Sequence, residues 1–342
     1  MRILVIIVLA FVWFDQASAQ EPSSRGDPIL GERLVQGVAT DERLWVLSGD
    51  GAVVSFARET GQRQTLATEG VAFIGRWNGR TVGLRKSEEG WRVEELESRR
   101  SLTAGAILAQ PPIGFTRTDD EWLVLTKNGF LTSSGGAWET KAFTAPLDHW
   151  GRTNIASTRS GQVYVGFNQG EWGGGLHRLD LRSGTLDEVR RIDDEPCDGP
   201  LGHECDPVTG VEPDPANADC VLASIGLSHM LAHGRVLRIC DDQVDVVFSR
   251  KIPLPPDAFG AGASTWPMFG LAAAPDGWTT ISAGKVFRAR DGEVFETDMP
   301  ELEPWHGLET SFADPGFIIL KTDMNWGMSL SGYTPLLVPV TN

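Results

Sequence analysis

Two residues of this sequence have side chains suited to acid–base chemistry, and they lie near the start of two similar segments. His229 lies in "GLSHMLAH" and Glu309 lies in "GLETSFAD", and both segments begin with Gly-Leu. A histidine and a carboxylate within hydrogen-bond reach of a substrate can move a proton to or from it. The alternative is that both are ordinary polar groups that bond backbone or water. The sequence therefore leaves catalysis open, with His229 and Glu309 as the candidate residues.

Tryptophan is the second residue type that indicates a functional surface. Five tryptophans fall in glycine-rich or polar loops, namely Trp150, Trp172, Trp266, Trp305 and Trp326. In "NQGEWGGG" three glycines follow Glu171 and Trp172, and glycine's access to backbone angles closed to other residues lets such a loop fold back and present both side chains. Indole faces near polar groups such as Glu171 and His306 suit a sugar ring, a peptide or a cation. The alternative is that the rings pack only against protein.

Four cysteines, Cys197, Cys205, Cys220 and Cys240, lie within 44 consecutive residues. In an oxidising compartment such cysteines pair. We prefer the connectivity Cys197 with Cys205 and Cys220 with Cys240, because the second pair is expected at one end of the fold. A zinc site of Cys197, His203, Cys205 and Cys220 is an alternative, but its ligand spacing differs from the familiar patterns.

Other cofactor signatures are missing from the sequence. The acidic residues around the first two cysteines could hold calcium but lack the regular alternate spacing of calcium loops; they are Asp193, Asp194, Glu195, Asp198, Glu204 and Asp206. No G-x-S-x-G, H-E-x-x-H or P-loop motif occurs. The run Gly173-Gly174-Gly175 precedes no predicted helix, so it is not a phosphate-binding turn. The sequence predicts neither a metal nor a cofactor.

The N-terminus and the charge together suggest a compartment. Residues 1–19 carry Arg2, an apolar run from Ile3 to Phe14 and the triplet Ala17-Ser18-Ala19. This three-part arrangement is typical of a cleaved secretory signal peptide, and no later segment is apolar for long enough to span a bilayer. The formal net charge of −16 argues against a nucleic-acid partner. We therefore expect a periplasmic or extracellular protein with no transmembrane segment in its mature chain.

A repeat of about 40 residues positions these candidates. Seven similar apolar segments, each preceded by a polar or glycine turn, start at residues 43, 80, 121, 162, 235, 278 and 317, from "RLWVLS" to "FIILKT". Five of the six intervals between them lie near 40 residues, and one is 73. Further turns and short strands follow each segment, as in "LWVLSGDGAVVSFARETG". Each repeat is therefore predicted to contain four strands, the length of one propeller blade.

Such repeats resemble the broad superfamily of seven-bladed β-propellers. "LWVLSGDGAVVSFARETG" and "QVYVGFNQGEWGGGLHRLDLRSG" are similar to blades of the quinoprotein-like and two-component-regulator-type propellers. The resemblance implies an all-β, seven-bladed β-propeller of four-stranded antiparallel blades over residues 20–342. It carries over no active residues, because a fold of this kind hosts unrelated functions.

The long interval is interpreted as a disulfide-stapled insertion at residues 193–220. It is expected between the fourth strand of one blade and the first strand of the next, at the end of the propeller that also bears the tryptophan loops. Cys220 and Cys240 are expected at that same end, because Cys240 is interpreted as ending a second strand there. The segments that begin with Gly-Leu, including that at residue 226, are expected to be innermost strands.

Three functions remain open from sequence. The first is an exported binding propeller that recognises a glycan, a peptide or a small ligand on its tryptophan-rich face. The second is a secreted hydrolase or lyase with a His/Glu site at the mouth of the central channel. The third is an interaction scaffold that meets an envelope protein through its acidic exterior and its insertion.

Overall fold

A computed structural model describes much of the chain. It covers residues 34–339 except 61, 68, 119–120, 148–150, 159, 190–200, 203, 229–231, 261, 275, 299–307, 314–315 and 322–334, and from residue 308 onward it describes only the backbone. The predicted signal peptide therefore lies outside the described residues. Within them, no helix is long and apolar enough to cross a membrane.

The described chain is all-β and folds into antiparallel sheets that follow one another in sequence. Six of these sheets are four-stranded blades. The first three hold β1 (Leu34–Ala39), β2 (Arg43–Ser48), β3 (Val53–Ala57) and β4 (Arg63–Ala67); β5 (Val71–Trp77), β6 (Arg80–Ser87), β7 (Gly90–Glu95) and β8 (Arg100–Ser101); and β9 (Pro112–Arg117), β10 (Trp122–Thr126), β11 (Gly129–Ser134) and β12 (Ala137–Ala142).

The next three blades follow the same plan. They hold β13 (Arg152–Ser157), β14 (Val163–Asn168), β15 (Leu176–Leu179) and β16 (Leu186–Glu188); β17 (Val208–Pro213), β18 (Cys220–Ser228), β19 (Ala232–Cys240) and β20 (Gln243–Phe248); and β21 (Phe269–Ala274), β22 (Gly277–Ser282), β23 (Lys285–Arg290) and β24 (Glu293–Asp298). The last sheet holds β25 (Leu308–Ala313), β26 (Gly316–Lys321) and β27 (Pro335–Pro339). A single-turn 3₁₀ helix, Gly170–Trp172, lies between β14 and β15.

The fold is a β-propeller, but the predicted count of seven four-stranded blades is wrong. Six blades have four strands, and the last repeat forms a three-stranded sheet within the described residues. The reason lies in how the N-terminal strand is used: β1 pairs with β2 as the first strand of the first blade, so it does not complete the last sheet. It packs instead against β25 and β26 of that sheet, which closes the ring.

The first strand of each sheet is the innermost one. Each packs beside the first strand of the next sheet, from β1 and β5 round to β21 and β25. Polar side chains on these strands form hydrogen bonds with backbone groups of the neighbouring blade. Asn154 Nδ2 donates to Val208 O over 2.8 Å, Thr209 Oγ1 donates to Met268 O over 2.6 Å, and Ile74 N donates to Gln36 Oε1 over 2.9 Å. These residues therefore join the blades.

The hydrophobic core lies between adjacent blades. Leu222 of the fifth blade, for example, packs with Leu271 and Trp278 of the sixth, and Tyr164 of the fourth packs with Val208 and other residues of the fifth. Because each strand alternates its side chains between the two faces of its sheet, both faces of a blade can be buried against its neighbours.

The fifth blade differs from its sequence assignment by one strand. The run "RVLRIC" is part of the third strand, β19, whereas in the other six repeats the corresponding run belongs to the second strand. Residues 226–228, expected to begin an innermost strand, are the end of the second strand, β18. The innermost strand is β17, which lies inside the predicted insertion. The long connection is therefore residues 189–207, shorter than the predicted 193–220 segment.

The disulfide Cys220–Cys240 is confirmed, but its predicted location is wrong. The two residues face each other across β18 and β19, with Cα atoms 4.4 Å apart. Cys220 begins the second strand and Cys240 ends the third, so the bond lies at the end of the blade opposite to the turn between these strands. Cys205 is also disulfide-bonded, and its predicted partner, Cys197, lies outside the described residues.

Candidate functional site

The two ends of the propeller carry different connections. In an antiparallel blade, the connection from second to third strand and the connection to the next blade lie at the same end, which we call the loop rim. The other two connections lie at the opposite end, the turn rim. Turn-rim connections are at most six residues long, whereas the loop rim carries 102–111, 143–151, 189–207 and 249–268. In the part of the chain that the structure describes, the long connections therefore lie on the loop rim.

Exposed large apolar side chains follow the same division. Four of the six in the described residues lie in loop-rim connections: Ile107, Trp172, Leu254 and Phe259. The other two, Val246 and Phe295, lie on the outermost strands β20 and β24, and none lies in a described turn-rim connection. Because exposed apolar patches often mark interaction sites, the loop rim is the candidate interaction end of this fold.

The loop from Gln169 to Gly175 presents Trp172 at this rim. Trp172 is 62% exposed, and Glu171 beside it is also exposed. All three glycines have positive φ, at 73°, 127° and 68° for Gly173, Gly174 and Gly175. A Cβ on Gly174 would lie 2.3 Å from Phe167 O. The triglycine run is thus needed for the sharp return of the chain to β15.

Hydrogen bonds within the loop fix the geometry of this return. Gln169 N donates to Gly173 O over 2.9 Å, and Phe167 N donates to Gly175 O over 3.0 Å. Gly173 N donates to Gly170 O over 3.1 Å, which closes the 3₁₀ turn that carries Trp172. The exposed indole therefore projects from a turn with its own backbone hydrogen bonds.

Asp206 connects this loop to the fifth blade. Its backbone oxygen accepts a hydrogen bond from Gly175 N over 3.1 Å. Asp206 is only 2% exposed. Its carboxylate accepts a 2.6 Å hydrogen bond from Gly202 N. The same carboxylate pairs with Arg235 and lies 3.2 Å from His233 Nε2, both residues being on β19. One buried acid thus joins the triglycine loop, the 189–207 connection and β19.

The buried charges of this cluster favour a rigid structure that supports the triglycine loop. Arg235 and Asp206 are both largely buried, with 15% and 3% of their side chains exposed. Removing one partner of a buried pair leaves the other charge without compensation, which typically costs about 3–5 kcal/mol. His233 keeps 27% of its side chain exposed, so it can offer a hydrogen bond to a ligand while Asp206 orients its ring.

Trp266 lies on the loop rim but is partly buried. It packs against the cluster that contains Val236, Met268 and Trp278. The segment before it is bonded to β19, because Thr265 N donates to Ala232 O over 3.0 Å and Gly234 N donates to Thr265 Oγ1 over 2.8 Å. Trp266 is therefore part of the structure of the loop rim, and its ring is partly packed between blades. Packing of the tryptophan rings against protein was the alternative that the sequence left open.

The remaining predicted site residues lie beyond what the structure describes. Trp150, His229, Trp305, His306 and Trp326 are outside the described residues. Glu309 is in β25, where only the backbone is described. Of the residues in the alternative zinc site, Cys197 and His203 are also outside the described residues, and Cys220 is in a disulfide. Among the described residues, no group of three or more His, Cys, Asp or Glu could hold a metal ion.

Sequence reasoning missed Asp206, His233 and Arg235 as one cluster. His233 and Arg235 follow Asp206 by 27 and 29 residues along the chain. Because the strands of the fifth repeat were misassigned, the sequence did not show that these residues are close together. One signal could have found them. Cross-strand partners in a hairpin have a constant sum of residue numbers, and the preferred Cys220–Cys240 pair centres that hairpin on residue 230. His233 and Arg235 then follow at the loop-rim end of the third strand.

Comparisons with known proteins agree with the fold and name no family. No protein-family model matches the sequence, and no curated protein matches it. Among solved structures, the chain is similar to YCF48 bound to D1 peptide, with a TM-score of 0.55 at 10% identity over 93% of this chain and 97% of the other.

Two further structures extend this similarity. A catalytically inactive variant of virginiamycin B lyase from Staphylococcus aureus with quinupristin gives a TM-score of 0.56 at 12% identity, over 85% of this chain and 92% of the other. The extracellular domain of the one-component system BT4673 from B. thetaiotaomicron gives 0.53 at 12% identity, over 89% of this chain and 38% of the other. At such identities the likeness shows a β-propeller fold.

Proposed function

We propose that this protein is an exported binding propeller that holds a peptide or another small ligand on its loop rim, around Trp172. The observation that carries the proposal is the gathering of four of the six exposed large apolar side chains in loop-rim connections. Trp172 supplies a flat stacking surface, and His233 supplies a partly exposed polar group on the same rim. Trp and other aromatic anchors dominate the energetics of such surfaces.

Fold-level analogy supports this choice. YCF48 has been solved with D1 peptide, and virginiamycin B lyase with quinupristin. These ligands belong to those proteins, and they illustrate only that the shared architecture accommodates small ligands. The proposal for this chain depends on its own rim residues.

Export is part of the proposal. The signal-like residues 1–19 motivate it, and the Cys220–Cys240 disulfide fits an oxidising compartment. The test is the mass of the protein recovered from the periplasm or medium of an expressing bacterium. A chain that begins near Gln20 supports export, and a full-length chain retained in the cytoplasm contradicts it.

The binding test uses a peptide library and tryptophan fluorescence. Peptides selected on the wild-type protein are titrated against Trp172→Ala and, as a matched control, against Phe295→Ala, which removes an exposed aromatic ring from an outer strand. We expect Trp172→Ala to weaken binding about tenfold or more and Phe295→Ala to leave it unchanged. Equal affinity of all three proteins would contradict the proposed site, and so would a failure to select any ligand.

The alternative of proton transfer by His229 and Glu309 stays a prediction from sequence. Turnover of a substrate that is lost in His229→Ala, without loss of folding, is the result that would establish it.

A further inference from the structure

A group of arginines lies at the seam between the first and second blades, away from the loop-rim site. Arg85 on β6, Arg92 on β7 and Arg99 in the following turn surround the carboxylate of Glu94, and we call these four residues the Glu94 cluster. Glu94 is opposite Gly83, and Arg92 is opposite Arg85, so these side chains share one face of the sheet.

That face points towards the first blade. Leu96 lies on the same face as Glu94, two residues along the chain, and it packs in one hydrophobic cluster with Trp45 and Leu47 of the first blade. The Glu94 side chain is only 1% exposed, whereas those of Arg85, Arg92 and Arg99 are 30%, 29% and 40% exposed. The cluster is thus a buried acid under three guanidinium groups that reach solvent.

The pairing inside the cluster is loose. Arg85 and Arg99 approach Glu94 Oε1 at 3.4 and 3.5 Å, and Arg92 approaches Glu94 Oε2 at 3.3 Å. Tight charge-assisted hydrogen bonds between such groups are about 2.7–2.9 Å long. Three guanidinium groups carry about fifteen N–H donors between them, and one carboxylate accepts about four. Most donors of the cluster are therefore in excess of what Glu94 can accept.

Buried polar atoms without a hydrogen-bond partner concentrate on this seam. Within the described residues they include Glu94 Oε2, Arg85 Nε and Arg92 Nε of the cluster itself. Trp45 Nε1 of the facing blade and Thr81 Oγ1, on the same face of β6 as Arg85, are in the same condition. Leaving buried donors and acceptors unpaired is costly, so a seam that collects five of them is suited to an additional hydrogen-bonding group.

The charge of the cluster identifies the group it suits. Three arginines and one glutamate give a local charge of 3 − 1 = +2, in a chain whose formal net charge is −16. Guanidinium groups present rigid forks of donors that match phosphate and similar oxyanions. We propose that the Glu94 cluster binds a dianionic tetrahedral oxyanion, phosphate or sulfate, either free or as a monoester on a larger ligand.

The test measures binding of stated probes to the full chain. Thermal melting and calorimetry are followed with inorganic phosphate, with sulfate and with O-phosphoserine, against sodium chloride at matched ionic strength. We expect a saturable rise in the melting temperature of the wild-type protein. Tighter binding of O-phosphoserine assigns the site to an esterified group, and tighter binding of the inorganic ions assigns it to the free anion.

Variants separate this site from a general salt effect. Phosphate and sulfate stabilise many proteins by exclusion from their surfaces, and such an effect is the same in every variant. Arg99→Gln is expected to weaken binding about tenfold or more, and Glu94→Gln to strengthen it by removing the competing carboxylate. Arg290→Gln, which changes an ion-paired arginine of the sixth blade, is the matched control and should bind as the wild type does.

Two results would overturn the proposal. One is a wild-type protein with no saturable response to any of the three probes. The other is an equal response in the wild type, Arg99→Gln and Arg290→Gln. Arg99 lies in an exposed turn, so its variant keeps the test usable even where Glu94→Gln does not fold.

Discussion

At the scale of single residues, the triglycine loop connects backbone conformation to the surface that the loop presents. Gly174 has φ 127°, outside the region that residues with a Cβ readily occupy. A Cβ on residue 174 would be disfavoured twice, by this φ and by its contact with Phe167 O. The sequence could suggest this role, because three consecutive glycines beside a tryptophan in a strand-to-strand connection have little other reason to occur.

Gly174→Ala tests that role. We expect it to lower the free energy of unfolding by at least about 2 kcal/mol, from strained φ and the clash with Phe167 O. Gly170→Ala is the matched control in the same loop, because Gly170 also has positive φ but nothing within 4 Å of an added Cβ; it should cost about 1 kcal/mol. Urea unfolding of both variants measures the difference. Equal losses would show that the close approach is unimportant.

Glu212, on the innermost strand β17, is a second residue with a specific expectation. Burial raises the pKa of its carboxyl from 4.5 to about 7, and no hydrogen bond or ion pair to it is seen in the part of the chain that the structure describes. Because the folded pKa exceeds the unfolded value, the folded state holds the proton more tightly. Stability is therefore expected to fall as the pH rises from about 4.5 to 7 and to level off above.

Glu212→Gln should remove this pH dependence. At pH 8 the variant is expected to be more stable than the wild type, by at most about 3 kcal/mol, and the two should be nearly equal near pH 4.5. Thermal unfolding of both proteins across this range provides the comparison. A wild-type stability that rises between pH 5 and 7, unchanged by the substitution, contradicts the expected ionisation.

At the scale of elements, sequence periodicity predicted most of the strands. In six of seven repeats the apolar run belongs to the second strand, because that strand is buried on both faces and so reads as continuously apolar. In the fifth repeat both β18 and β19 are long and apolar, so the run alone could not show which was the second strand. The misassignment moved the disulfide to the wrong rim although its pairing was right.

The last sheet is expected to depend on its final strand, β27. β27 is the last described strand and pairs along β26 from Gly316 to Leu320. A chain truncated after Gly332 loses β27 and exposes the hydrogen-bonding edge of β26. We expect a large drop in melting temperature or a loss of the cooperative transition. A chain truncated after Pro339 keeps β27 and is the control.

An unchanged melting transition in the shorter chain would show that the last sheet does not hold the ring closed. Aggregation that appears only in the shorter chain would agree with an exposed edge at β26.

At the scale of the whole molecule, the sequence predicted the repeat and the ring but not the number of four-stranded blades. A period of about 40 residues indicates how many repeats there are, and it carries no information on which strands each repeat completes. For a related reason, the sequence singled out Trp172 but not the cluster around Asp206. Trp172 is a local feature of one loop, whereas the contacts of Asp206 with His233 and Arg235 depend on packing between distant segments.

Our proposal is that this propeller binds its ligand at the loop rim. It is tested most directly by photo-crosslinking a peptide library to the full protein and mapping the labelled positions by mass spectrometry. We predict that labels concentrate in residues 102–111, 169–175 and 249–268 and fall sharply in Trp172→Ala. Labels found mainly in the short connections of the turn rim, or spread evenly over both ends, would contradict binding at the loop rim.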